Sequence, residues 1–371
     1  MSLGIAGMGW VTPLGSDLSG VWQRLLNGET APVQAISSPL GPTYPVIPVA
    51  TEQAPAHPRL RRSSAISRFA VIAGLAALQD ARLKLDAETA ARTALIFAVS
   101  NGGVIYTKRF YDEIVESGAQ AASPLLFPET VFNAPASHMA AILGITGASY
   151  TLVGDGAVGI LALRMAEDLM ENELLDRCLV VGAEETDWLV CDAYRKWRLL
   201  RSAPPIEPFK QPPRGTILSE GAGAVLLSRN GTVQLEKIAT GTNFRRQSEA
   251  ADSVEKVFRE LCEGEIDLVV ASANGTFIDA AERAAVLRNC PSAKVHAMKA
   301  ALGESVGASS LWQTISGAQS LRTQLVPPCT LLGKENGARL STEATSNELR
   351  RAVISVCGLN QQVAGLRLGC A

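Results

Sequence analysis

Between Gly147 and Gly159 the chain reads as a short apolar strand, a glycine-rich turn and the opening of a helix. The turn is Gly154-Asp155-Gly156-Ala157-Val158-Gly159. A strand that runs straight into a helix belongs to an α/β fold, in which helices must cover the faces of a sheet. The same alternation recurs along the whole chain. Residues 3–8, 94–99, 177–181 and 222–227 read as strands, and 21–26, 64–81 and 160–172 as helices. Within 64–81 the apolar residues Ile66, Phe69, Ala70, Ile72, Ala73, Leu75 and Ala76 return at helical spacing.

The plan then repeats. Strands are expected at 233–238, 267–271 and finally 353–356, with helices at 250–262, 280–287 and 308–321. The proline-rich stretch 203–213 reads as a surface loop rather than a linker. The organisation this predicts is two packed halves, 1–228 and 229–371. With 371 residues, 47% of them hydrophobic, the chain can bury one large core or two fused ones.

A net charge of −2 gives no field for nucleic acid or an anionic membrane. No basic stretch followed by an apolar run opens the sequence, and no run reaches the roughly 18–20 apolar residues of a bilayer span. A cytoplasmic protein is expected. The seven cysteines are odd in number, and none are spaced Cys-x-x-Cys. His57, His138 and His296 are dispersed, so no metal site is predicted. Cys178 and Cys357 lie in apolar runs, where a cysteine behaves as a small hydrophobe.

Several blocks, taken in order, resemble the β-ketoacyl-acyl-carrier-protein synthases of the thiolase fold. Gly7-Met8-Gly9-Trp10-Val11-Thr12-Pro13-Leu14-Gly15 is similar to the family's opening strand and loop. Asn133-Ala134-Pro135-Ala136-Ser137-His138 is similar to the segment leading into its nucleophile, and Gly182-Ala183-Glu184 to the end of a core strand. Pro208-Phe209, Gly215 and Glu220-Gly221-Ala222-Gly223 follow the family's later glycine-rich stretch. The resemblance covers nearly the whole chain. It implies two βαβαβαββ halves in a five-layered α/β/α/β/α core, and no cofactor.

The departures bear on activity. The family acylates a cysteine at a helix N-terminus, and two histidines bind the thioester carbonyl and promote decarboxylation. On this resemblance the cysteine position is Gly156, the first histidine position is Asn274 in Asn274-Gly275-Thr276, and the second is Glu304 in Lys299-Ala300-Ala301-Leu302-Gly303-Glu304. A family glutamate that pairs with the lysine is matched by Gln313, and the C-terminal gate by Gly358-Leu359-Asn360-Gln361. Glycine cannot be acylated. A charged Glu304 repels a malonyl carboxylate and a developing enolate, and once buried it needs a partner, for which Lys299 is the candidate. Asn274 keeps a donor for a carbonyl oxygen.

The reading is a non-condensing partner of an active ketosynthase, like a chain-length factor, in fatty acid, polyketide or polyene biosynthesis. The expected assembly is a heterodimer with that ketosynthase, or a homodimer, meeting beside Tyr150–Val153. Contact with an acyl carrier protein is implied too, and the Trp188, Tyr194 and Trp197 cluster with Arg195, Lys196, Arg198 and Arg201 is a candidate surface for it. Two alternatives stand beside this. Asp155, Asn274, Thr276, Glu304 and Leu359 can line a pocket with altered acyl-thioester chemistry, although Asp155 is expected simply to cap the helix that follows it. Gly154, Gly156 and Gly159 also spell a dinucleotide fingerprint, with Glu184 ending the next strand.

Overall fold

The computed structural model describes residues 3–50, 54–329, 339–341, 343–346 and 348–370. One sheet of eleven strands organises the chain: β1 (Leu3–Val11), β2 (Thr93–Val99), β3 (Ser149–Val153), β4 (Arg177–Glu184), β5 (Gly221–Ser228), β6 (Val233–Thr240), β7 (Leu268–Val270), β8 (Lys294–His296), β9 (Arg339–Leu340), β10 (Arg351–Cys357) and β11 (Val363–Cys370). Their order across the sheet is β9-β8-β7-β10-β11-β6-β1-β5-β4-β2-β3. The same pairing is laid down on both sides of the antiparallel β1–β6 seam. β4, β2 and β3 are mutually parallel and join β1 through antiparallel β5. Likewise β10, β7 and β8 are parallel and join β6 through antiparallel β11.

Parallel strands need both faces covered, and β2 shows how the residues meet that need. Leu95, Phe97 and Val99 enter one outer core with the helix Ala65–Asp80. Ala94, Ile96 and Ala98 enter the central core with the helices Val158–Leu169 and Ser309–Thr323. Strand β10 divides in the same way. Ile354 and Val356 face the central core, and Val353 meets Val257 and Phe258 in a second outer core beneath the helix Ala250–Leu261. Three cores between five layers give the α/β/α/β/α thiolase-like arrangement.

The outer helix is seated by close backbone approach. A Cβ on Gly7 would lie 2.1 Å from the Ala77 carbonyl oxygen, and one on Gly9 2.2 Å from that of Ala73. Ser64 begins this helix by accepting from the Ser67 N–H, and Asp80 near its end accepts from the Met8 N–H at 2.9 Å.

Element boundaries differ from the sequence reading in informative places. The last strand is Val363–Cys370 rather than 353–356, because glycines at 365 and 369 dilute an otherwise apolar run. The loop 203–213 is not wholly superficial, since Ile206 and Phe209 are buried. No helix among the described residues is long and apolar enough to cross a membrane.

Replacing Gly9 by valine forces a branched side chain into the helix backbone. We expect a loss of about 3 kcal/mol or more of unfolding free energy in urea titrations; an unchanged midpoint would mean that the helix is not held by this contact.

Candidate functional site

Four segments distant in sequence meet where the strands of the first flank end. β3 closes at Val153, and Gly154 donates its N–H to the Val99 carbonyl at 3.1 Å, so the turn is tied to β2. The chain then passes Asp155 and Gly156 into the helix Val158–Leu169. A Cβ on Gly156 would meet only the Gly358 Cα, at 3.3 Å. Gly159 lies so close to the Ser309–Thr323 helix that a Cβ there would sit 2.3 Å from Ser310 Oγ.

Asp155 does not cap this helix. The helix starts from Ala157 without a side-chain cap. The Asp155 carboxylate instead accepts the Asn360 N–H at 2.7 Å, and the Asp155 N–H donates to Gln362 Oε1 at 2.9 Å. The turn is thereby stapled to the loop after β10. Burial raises the Asp155 carboxyl to about 6, although N–H donors from Gly156, Asn360 and Gln362 oppose the shift.

Behind it lies a closed polar corner. Asn274 and Gly275 donate their N–H groups to Asp279 at 2.9 and 3.0 Å, which fixes the loop after β7, and Gly275 supplies the φ of +86° the turn requires. Thr276 turns back on Asn274, with its hydroxyl donating to Oδ1 at 2.7 Å. The Asn274 amide donates to Glu304 Oε2 at 2.6 Å, and Lys299 Nζ lies 2.8 Å from the same oxygen. All three of these side chains are buried. The ion pair expected between Lys299 and Glu304 is therefore present, and it takes up the Asn274 donor as well. Gln313 Nε2 donates to the Ala271 and Ser355 carbonyls, both at 2.9 Å, which ties this side chain to the backbone at the ends of β7 and β10.

A cleft of about 330 Å³ reaches this region from outside. Ser100, Asn101, Asp155, Tyr194, Trp197 and Asn360 are among the residues that line it. Asn274, Lys299 and Glu304 are not among its lining residues. Leu359 and Thr276 are buried and also lie off its wall. Cys357, next in the chain to Gly358, is a poor nucleophile, because burial holds its thiol neutral. The aromatic cluster is only partly a surface. On the helix Trp188–Lys196 Tyr194 is buried, Trp197 just beyond it is exposed, and Arg201 is buried against Glu207.

The dinucleotide reading fails on the same geometry. A Cβ on Gly154 would approach Gln362 Oε1 to 2.9 Å, so the protein's own side chains occupy the space at Gly154 and Gly159. Glu184 turns its carboxylate to the N–H groups of Ser100 and Asn101 at 3.0 and 3.1 Å, where burial raises it to about 8. No cluster of three or more His, Cys, Asp or Glu suited to a metal occurs among the described residues.

Sequence reasoning placed the segment at β3 but not its exposure. β3 is the outermost strand of its flank, with Tyr150 44% and Val153 51% exposed. Phe127 and Phe132, exposed by 59% and 44%, precede the helix Ala134–Leu143 that packs beside this strand.

The first half matches the family model "Beta-ketoacyl synthase, N-terminal domain" over residues 51–232. Residues 51–232 are thus a β-ketoacyl synthase N-terminal domain. Among curated relatives, nodulation protein E of Rhizobium sp. (strain N33) is 24% identical over 95% of this chain and 94% of its own length. The 3-oxoacyl-[acyl-carrier-protein] synthase 2 of Vibrio cholerae is 22% identical over 87% of each. Among solved structures, the ishigamide ketosynthase/chain length factor superposes with a TM-score of 0.88 at 18% identity, covering 100% of this chain and 99% of that one. The ketosynthase ApeO in complex with its chain length factor ApeC from Xenorhabdus doucetiae gives 0.83 at 18%, covering 100% and 98%. These likenesses establish the ketosynthase fold.

Two predictions follow from the buried charges. Glu304→Ala strands the Lys299 ammonium and should cost about 3–5 kcal/mol, whereas Lys299→Met with Glu304→Leu should recover most of that loss; additive losses in denaturation would contradict the pairing. Glu184, raised from 4.5 to about 8, keeps its proton in the folded chain when the unfolded chain has lost it. Its stabilising contribution is thus full below 4.5 and disappears as the pH rises through 8, at about 1.4 kcal/mol per pKa unit. Stability should fall across that window and fall less in Glu184→Gln; identical pH slopes for the two proteins would contradict it.

Proposed function

We propose that this protein is a non-condensing, chain-length-factor-like subunit that pairs with an active ketosynthase in fatty acid, polyketide or polyene assembly. The observation that carries the reading is the closed corner, in which Asn274 and Lys299 both spend a donor on Glu304. In this reading Gly156, Asn274 and Glu304 occupy the family's cysteine and histidine positions. Gly156 offers no nucleophile, Asn274 no base, and Glu304 an anion where a malonyl carboxylate would have to sit. The cleft supports it in that its walls include Asp155 but none of Asn274, Lys299 and Glu304.

The exposed edge supports a partner. An outer strand with exposed apolar side chains calls for a cover, and Tyr150 and Val153, on opposite faces of β3, are such side chains. The heterodimer is preferred over a self-dimer because two copies of this chain would together contain no acylatable cysteine at position 156. The exposed Trp197 at the cleft mouth is a place for residual contact with an acyl carrier protein.

A second reading, thiolase-fold chemistry of another kind, is favoured by one observation. The Asp155 carboxyl faces the cleft and sits near 6, where it can trade a proton at physiological pH.

The test is condensation by the chain and by Gly156→Cys, with an acyl thioester and a malonyl thioester, read by mass spectrometry. A Cβ is accommodated at 156 with a shift of a few tenths of an ångström, since Gly358 Cα is the one atom within 4 Å of it. Neither protein should release a 3-oxoacyl product. Chain extension by either would overturn the proposal.

A further inference from the structure

The ends of two outer helices carry a feature with no place in the ketosynthase site. Cys262 directly follows the helix Ala250–Leu261, and Cys290 directly follows the helix Ile278–Asn289. Their sulfurs lie 3.4 Å apart. We propose that Cys262 and Cys290 are an oxidisable thiol pair, a modification site at which a peroxide converts two thiols into one disulfide.

The geometry suits closure. A disulfide bond is about 2.0 Å long, so the two sulfurs must approach by roughly 1.4 Å. Both residues sit at helix C-termini, where the regular ladder ends, with the Cys262 N–H on the Phe258 carbonyl and the Cys290 N–H on that of Val286. The helices are held in place without the sulfurs. Glu255 accepts from Asn289 Nδ2 at 3.2 Å and pairs with Arg288 at 2.9 Å. The thiols are thus positioned by the fold and do not have to bring the helices together.

Exposure orders the chemistry. Cys262 is partly exposed and Cys290 is buried, so a small oxidant meets Cys262 first. Contact with Cys262, and then burial, holds the Cys290 thiol in its neutral form until that encounter. The peroxide passes one oxygen to Cys262 Sγ, leaving a sulfenic acid and one water. Cys290 Sγ then attacks that sulfur, the S–O bond breaks, and the hydroxide leaves with the Cys290 proton as a second water. Two thiols are oxidised by two electrons and the peroxide is reduced.

The bond would close a loop running through β7 and Asn274 to the helix that carries Asp279. It would pin the base of the segment that positions the polar corner. Cys178, Cys191, Cys329 and Cys357 are buried away from such access.

The test uses the full chain, reduced, exposed to hydrogen peroxide and then alkylated, with peptide mapping under non-reducing conditions. The expected product is a Cys262–Cys290 cross-linked peptide, an intact mass lower by two hydrogens, and reversal by dithiothreitol. Thermal unfolding should shift upward on oxidation in the parent chain and not in Cys262→Ser, which avoids altering the buried sulfur. Over-oxidation of Cys262 without a cross-link, or recovery of both thiols in alkylated form after peroxide, would overturn the proposal. So would cross-linking through the exposed Cys370 in place of this pair.

Discussion

The requirement that an eleven-stranded sheet be covered on both faces organises everything else in this molecule. Parallel strands β2 and β4 leave no face for water, so helices must approach them closely, and the chain meets that demand with small residues at the contacts. Gly7 and Gly9 admit the helix Ala65–Asp80; Gly159 and Gly182 admit the Ser309–Thr323 helix and the turn before it. Once the central helices are pressed between the two flanks of the sheet, the loops at the strand ends have only one place to converge. Asp155, Asn274, Glu304 and Gly358 meet because the layers force them together, not because their local sequences attract one another.

On the proposed reading, that convergence is where the chain departs from ketosynthase chemistry. A ketosynthase site has to keep donors and bases poised toward an incoming thioester. Here the available groups satisfy each other: Lys299 and Asn274 converge on one oxygen of Glu304, and Asp155 is engaged by the loop after β10. Buried and mutually bonded charges of this kind favour a fixed structure, since removing any one member leaves another unpaired.

How much of this is legible in the sequence follows from the range of the interactions. Strand β2 and the helix after Ser64 announce themselves through a continuous apolar run and through helical spacing of apolar residues, both local signals. The Lys299–Glu304 pair is legible because a buried carboxylate needs a cation and the lysine lies five residues away. The role of Asp155 is not, since its partner Asn360 lies more than two hundred residues on and helix capping is the local expectation. The exposure of Tyr150 and Val153 depends on β3 being an outer strand, which only the topology reveals. Cys262 and Cys290 share no motif spacing, and their contact arises from two helix ends meeting in space.

The central claim is that the chain acts as a partner rather than as a catalyst, and its composition in the native host tests this most directly. Native mass spectrometry of the tagged protein purified from that host should reveal an equimolar complex with a ketosynthase that retains its cysteine. Recovery of the chain only as a monomer or a self-dimer, with no ketosynthase bound, would contradict the account.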